Sequence, residues 1–191
     1  MTLNPLKLGF NYGEFSSYIE KLNPKKFTNN GADIQGAVLH NTFNPDLARV
    51  KGYLDSKKWT PEQLIDNWWV SYRKAGWAAG PHIFIFPHKV YVATPLDHNG
   101  THSPSYNKSY WGIEIIGDYS HEILPDEMRQ EAVHVLACMY KTLGKKATND
   151  NFHFHGEDPK TTHKNCPGKN VGPKAQWILD INSDIQSEKH K

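Results

Sequence analysis

The chain has only two cysteines, Cys138 and Cys166, among its 191 residues. They do not make a disulfide framework. Cys138, inside Val-His-Val-Leu-Ala-Cys-Met-Tyr, reads as a small buried apolar residue. Long apolar runs are missing too. Nothing approaches the roughly 18 apolar residues in a row of a membrane span, and the N-terminus has no basic stretch leading into an apolar one, as a secretory signal would. The expectation is a protein made in the cytoplasm, acting there or released to act outside. An excess of charge of one sign is lacking too. The net charge is +2 with no clustered basic patch, which argues against nucleic acid as a partner. Internal repeats, linkers and low-complexity segments are also lacking, and the length suits one domain with a sizeable core.

What is present reads as short strands alternating with helices, hence an α/β fold with a mixed sheet. Residues 1–33 form a polar N-terminal arm with Asn-Pro pairs and Asn-Asn-Gly, expected to be loosely structured apart from a short helix near 18–22. Residues 34–39 are a buried strand ending at His40. Helices are expected at 45–55 and from Thr60 to about Val70, where Thr60, Pro61 and Gln63 make a helix-start signature. Residues 82–86 and 89–94 read as a hairpin, and 110–117 as a central strand. A long helix covers 125–143, with Asp126 and Glu127 in its first turn and Gly144 beyond its end. A short strand falls at 152–155. A terminal helix at 173–187 puts Trp177, Ile178, Ile181 and Ile185 on one face.

The chemistry concentrates in residues 151–168, which hold His153, His155 and His163, Lys164 and Cys166. His155 and Cys166 lie eleven residues apart and could meet at one Zn²⁺ from the two ends of a loop. A third ligand must come from elsewhere, and His40 is the best candidate, although a histidine there can equally be a hydrogen-bonded core residue. Three such ligands leave a fourth position for water, whose pKa falls to about 7 on zinc. Glu114 breaks an apolar strand. It is either a solvent-facing charge on an edge strand or a general base with its pKa raised by burial. Lys164 is a solvated loop residue or a cation that stabilises an oxyanion. A cysteine nucleophile, Cys166 paired with His155 or His163, competes with the metal reading. A nuclease built on His40-Asn41 is weaker without a basic patch.

With these residues in hand the chain resembles the zinc-dependent N-acetylmuramoyl-L-alanine amidases of type 2, which share a fold with peptidoglycan recognition proteins and phage amidases. The resemblance spans 34–172. It rests on Val-Leu-His-Asn-Thr at 38–42, Gly-Pro-His-Ile-Phe-Ile at 80–85, Gly-Thr-His-Ser at 100–103, Asn107 through Gly-Ile-Glu-Ile-Ile-Gly at 112–117, and His155 leading to Lys164-Asn165-Cys166-Pro167-Gly168. It implies a mixed central sheet flanked by helices, with residues 173–191 as a C-terminal helix on the same domain. It implies one zinc held by His40, His155 and Cys166, with Glu114 as general base and Lys164 as transition-state cation. His102 and Asn107 would contact substrate, and His82 would belong to the core.

The implied activity is hydrolysis of the amide between N-acetylmuramic acid and L-alanine in peptidoglycan, by a monomer, in the setting of a phage endolysin. The alternatives are a cytoplasmic enzyme recycling muropeptides and a non-catalytic wall-binding module. Two departures stand out. Pro81 occupies the place of a catalytic tyrosine in some phage members, and His153 rivals His155, since both would lie on one strand face.

Overall fold

The four apolar residues Ile83–Phe86 set the layering of the molecule. Successive side chains of a strand point to opposite faces. Ile83 and Ile85 enter one core, while Phe84 and Phe86 enter a second. A strand buried on both faces belongs inside a sheet covered by helices on each side, and the computed structural model shows that arrangement. It describes residues 3–22, 28–29 and 32–187.

The elements run β1 (Leu8–Phe10), α1 (Tyr12–Glu20), β2 (Thr28–Asn29), β3 (Ala32–Asp33), β4 (Gly36–Asn41), α2 (Leu47–Asp55), α3 (Pro61–Lys74), β5 (Ile83–Phe86), β6 (Lys89–Val92), β7 (Tyr110–Ile115), α4 (Asp126–Thr142), β8 (Phe152–Phe154) and α5 (Lys174–Ser187). Six strands form one mixed sheet in the order β1-β6-β5-β7-β4-β8. β1, β6 and β5 pair antiparallel, whereas β5, β7, β4 and β8 run parallel. β2 and β3 make a separate ribbon.

Helices α1, α4 and α5 cover one face with Phe15, Ile19, Leu136 and Trp177. α3 covers the other with Leu64, Ile65, Trp68 and Trp69, joined by Val50 of α2. Trp69, Trp111 and Trp177 are fully buried, and each indole N–H donates to a backbone carbonyl at 2.9 Å, of Leu3, Leu96 and Val171 respectively. Burial of these rings therefore leaves no polar atom unsatisfied. Among the described residues no helix is long and apolar enough to cross a membrane.

Two expectations need correction. The described part of the N-terminal arm is not loose. Leu8 pairs with Val92 to add an edge strand, and α1 buries Phe15 and Ile19 against α4. Asn11 caps α1 through a reciprocal pair of bonds with Glu14. Helix α3 also runs past Val70 to Lys74 before Gly76 turns left-handed.

Candidate metal centre

β4 and β7 lie side by side in parallel register with His40 opposite Glu114. Leu39, Ile113 and Ile115 fill the core under α1, α4 and α5, so alternation sends His40 and Glu114 to the opposite face. Both stand near the carboxyl ends of their strands, where open α/β sheets gather ligands. Both are buried, and His40 Nδ1 lies 4.0 Å from Glu114 Oε1.

The remaining donors come from the loop after β8. The strand stops at Phe154, and His155–Glu157 is a 3₁₀ turn. The Gly156 N–H donates to the Cys166 carbonyl at 2.8 Å, pinching the loop at its neck. A Cβ on Gly156 would sit 2.3 Å from the Lys164 carbonyl oxygen, so this closure requires glycine. His40, His155 and Cys166 are thereby assembled, each offering one ligand atom, all within 4.8 Å of one another. Tetrahedral zinc with bonds of about 2.0–2.3 Å spaces its ligand atoms by roughly 3.3–3.7 Å. The donor set fits such an ion after a small closing movement.

His153 stays out of this group. It stacks on Tyr106, with ring centroids 4.4 Å apart at 12°. The rivalry with His155 assumed that both lay on one strand. The strand ends between them, and the turn carries only His155 to the cluster.

The electrostatics suit a cation. Burial pushes the Glu114 carboxyl up to about 8, and its Oε2 is buried without a hydrogen-bond partner. β7 lies between β5 and β4, so Glu114 is not the solvent-facing charge of an edge strand. A dication in front of it would favour the ionised form. Burial holds the His40 imidazole well below its usual value, helped by its neighbours His102, His155 and His163. Burial and the closeness of His163 lower His155 to about 4. Neutral imidazole is the ligating form. Burial and the Glu114 carboxylate raise the Cys166 thiol, against a weaker downward pull from the Asn41 backbone amide. A cysteine nucleophile needs the opposite shift, whereas a bound metal deprotonates a coordinating thiol outright.

These groups line a cavity of about 1120 Å³ together with Phe43, Tyr72, His102 and Lys164. Lys164 is exposed, and its Nζ donates to the Asp158 carbonyl at 2.7 Å. His102 is buried behind His40. Asn107 does not line the cavity among the described residues. Its Oδ1 accepts from the backbone N–H groups of His102 and Ser103, both at 2.8 Å, and so shapes the loop. His82 is fully buried, accepting from Gly112 N–H and facing the His98 carbonyl.

Sequence reading missed two residues. Tyr72, on the last turn of α3, lines the cavity, and burial together with the nearby Glu114 charge raises its phenol well above the usual value. Its spacing from Trp68 and Trp69 is helical, the signal that α3 continues. Asp158 is fully buried. Its carboxylate accepts from Ser103 Oγ (2.6 Å), Ser105 Oγ (2.6 Å), Ser105 N–H (2.9 Å) and Lys160 N–H (2.8 Å). Burial works against the charge, but these bonds hold the carboxyl well below its ordinary value. No feature of a single sequence announces that these two loops meet.

Several solved structures share the fold. The endolysin N-acetylmuramoyl-L-alanine amidase LysCS from Clostridium intestinale URNW is 18% identical with a TM-score of 0.59, covering 79% of this chain and 85% of that one. The bumblebee peptidoglycan recognition protein SA is 21% identical with a TM-score of 0.53, covering 72% and 77%. A Drosophila peptidoglycan recognition protein LB variant in complex with tracheal cytotoxin is 19% identical with a TM-score of 0.51, covering 72% and 76%. At these identities the likeness is one of fold. No curated protein matches the sequence. The sequence profile of the type 2 N-acetylmuramoyl-L-alanine amidases matches residues 30–169, and the chain belongs to that family.

Proposed function

We propose that the protein is a zinc-dependent amidase that hydrolyses the bond between N-acetylmuramic acid and L-alanine in peptidoglycan. The observation that carries this reading is the convergence, in one cavity, of the His40, His155 and Cys166 donors with the unpartnered Oε2 of Glu114. Family membership supplies the reaction class. The likeness to LysCS favours the setting of an endolysin acting on the wall.

His40, His155 and Cys166 would hold the ion, which when bound supplies Lewis-acid polarisation of the scissile carbonyl and acidifies water. The chain's own groups do the rest. Glu114 takes a proton from the attacking water through its free oxygen as the new C–O bond forms. Glu114 then returns that proton to the leaving nitrogen as the C–N bond breaks. Lys164, at the cavity rim, donates to the oxygen that becomes negative, exchanging its bond to the Asp158 carbonyl for one to the oxyanion. The Tyr72 hydroxyl is a further donor in the same cavity.

A recognition module without catalysis is the second reading, favoured by the likeness to peptidoglycan recognition proteins. The complete donor set and the carboxylate beside it support the enzyme. Digestion of purified peptidoglycan with and without a chelator, followed by zinc add-back, tests the choice. The expected result is new N-terminal alanine without new reducing sugars, lost on chelation and restored by zinc. Bound muropeptide with no release would establish the recognition module.

A further inference from the structure

We infer that His102 acts through His40 and not on substrate: it accepts a hydrogen bond from His40 Nε2 and so fixes the tautomer in which His40 turns a bare Nδ1 toward the metal centre. This rests on the reading of His40 as a ligand, and one chain of hydrogen bonds carries it. His102 Nε2 lies 3.1 Å from the Tyr110 carbonyl. A carbonyl only accepts, so Nε2 of His102 carries the hydrogen. The ring is 6% exposed and stands between the rings of His40 and His82, and a neutral imidazole carries one ring hydrogen. Nδ1 of His102 is then a lone pair. It lies 3.1 Å from His40 Nε2, and that contact is a hydrogen bond only if His40 donates. Nδ1 of His40 is left bare, on the side of Glu114 at 4.0 Å.

The backbone is cut to hold this ring. A Cβ on Gly112 of β7 would lie 2.4 Å from His102 Cγ, and one on Gly100 would lie 2.9 Å from its Cδ2. Glycine at 112, part of the Gly-Ile-Glu run, thus has a reason of its own: any side chain there displaces His102. Asn107 fixes the same residue from the other side through its backbone N–H. Partners that orient a metal-ligating histidine are typically worth about 10–100-fold in metal affinity.

The test uses the full chain and three variants. His102→Phe fills the slot without a polar atom. His102→Gln can accept from His40 and donate to Tyr110 through its two amide atoms. Gly112→Ala keeps His102 but pushes it aside. Ring ¹⁵N spectra of the metal-free proteins report the His40 tautomer, and competition against a chromogenic chelator reports zinc affinity. We expect the Nε2–H form of His40 in the wild type and in His102→Gln. The Phe and Gly112→Ala variants should give a tautomer mixture and bind zinc about 10–100-fold more weakly.

Unchanged His40 signals and zinc affinity in folded His102→Phe would overturn the inference. A raised KM with unchanged zinc affinity in that variant would return His102 to substrate contact. If the wild type bound no zinc, the zinc reading would fall while the metal-free spectra still decided the relay. Should His102→Phe not fold, His102→Gln and Gly112→Ala decide the matter. Loss of the Nε2–H form in the first, or its retention in the second, would overturn the relay.

Discussion

His40 and Glu114 are register partners on adjacent parallel strands, and one imidazole nitrogen lies 4.0 Å from one carboxylate oxygen. The proposed metal ligand and the proposed base are therefore placed by a single ladder of backbone hydrogen bonds. Neither depends on a loop. A slip of one residue between β4 and β7 would turn one of them into the opposite core.

The first prediction separates their roles. Glu114→Gln keeps the size and the buried position of the side chain but cannot take a proton. Zinc content should stay at one ion per chain in the proposed site. The rate of alanine release should fall by about 10²–10⁴, the range that a general base contributes. Metal analysis alongside the peptidoglycan digestion checks both. A variant with near-normal turnover would remove Glu114 from the mechanism.

The same carboxyl makes the metal-free protein sensitive to pH. Its folded pKa of about 8 lies above the unfolded carboxylate value. Between the two the native state holds a proton that the unfolded state has released, so the contribution of this carboxyl to stability falls as pH rises from about 4.5 to 8. Buried neutral histidines such as His40 and His155 act in the opposite sense below their unfolded value, so the readout is the difference: in thermal melts of the metal-free proteins the wild type should lose stability relative to Glu114→Gln as pH rises across that range, and the variant should be the more stable of the two at pH 8. Zinc loading should shrink that pH-dependent difference, because a dication stabilises the carboxylate.

Much of this site was legible because its donors sit where the sequence is tightly constrained. His40 ends an apolar run, Glu114 interrupts one, and Cys166 stands before Pro-Gly outside any apolar stretch. The less legible parts have physical reasons. Three residues, Leu8–Phe10, are too few to show alternation, and two of them stay exposed on the sheet edge. The Asn11-to-Glu14 capping pair was the available signal for α1. His153 and His155 are two apart, so only the point at which the strand breaks tells them apart, and that point depends on the bond between Gly156 and Cys166. The roles of Asp158 and Asn107 depend on which loops touch.

Cys166 should report the metal through its reactivity. In the metal-free protein it is a thiol, held protonated by burial and by Glu114, so alkylation at pH 8 should be slow. Zinc should block it further. Cys138 is 3% exposed and should not react until the protein unfolds. Peptide mass spectrometry of timed samples resolves the two positions. Cys166→Ala should lose zinc and hydrolysis together. Alkylation of Cys166 that abolished activity at an undiminished rate in saturating zinc would revive the cysteine nucleophile.

Asp158 should matter for both stability and metal. Three of its four bonds tie the loop carrying His102 to the loop carrying His155 and Cys166, and the fourth closes its own loop at Lys160. Asp158→Asn keeps the shape but loses the charge on which those bonds converge. Bonds to a charged acceptor contribute about 1.5–3 kcal/mol each, and asparagine can still satisfy some of them. A net loss of about 2–3 kcal/mol should lower the melting temperature at neutral pH by about 5–10 °C. A depressed carboxyl contributes stability above its unfolded pKa and loses it as pH falls, so the gap between wild type and variant should narrow in acid. An equal gap at pH 3 and pH 7 would show that the charge is not what holds the loops.

Lys164 gives the sharpest test of the transition-state assignment, because its only described bond is to a backbone carbonyl of its own loop. Lys164→Met keeps the aliphatic stem and removes the cation. If the ammonium meets the oxygen only when that oxygen becomes negative, kcat should fall by about 10²–10³ while KM and zinc affinity barely move. If the lysine instead holds substrate in the ground state, KM should rise and kcat should survive. Steady-state kinetics on a soluble muropeptide separate the two. A third pattern, weaker zinc binding with both constants altered, would mean that the bond to Asp158 is what the loop needs and that Lys164 serves the geometry of the centre and not the chemistry.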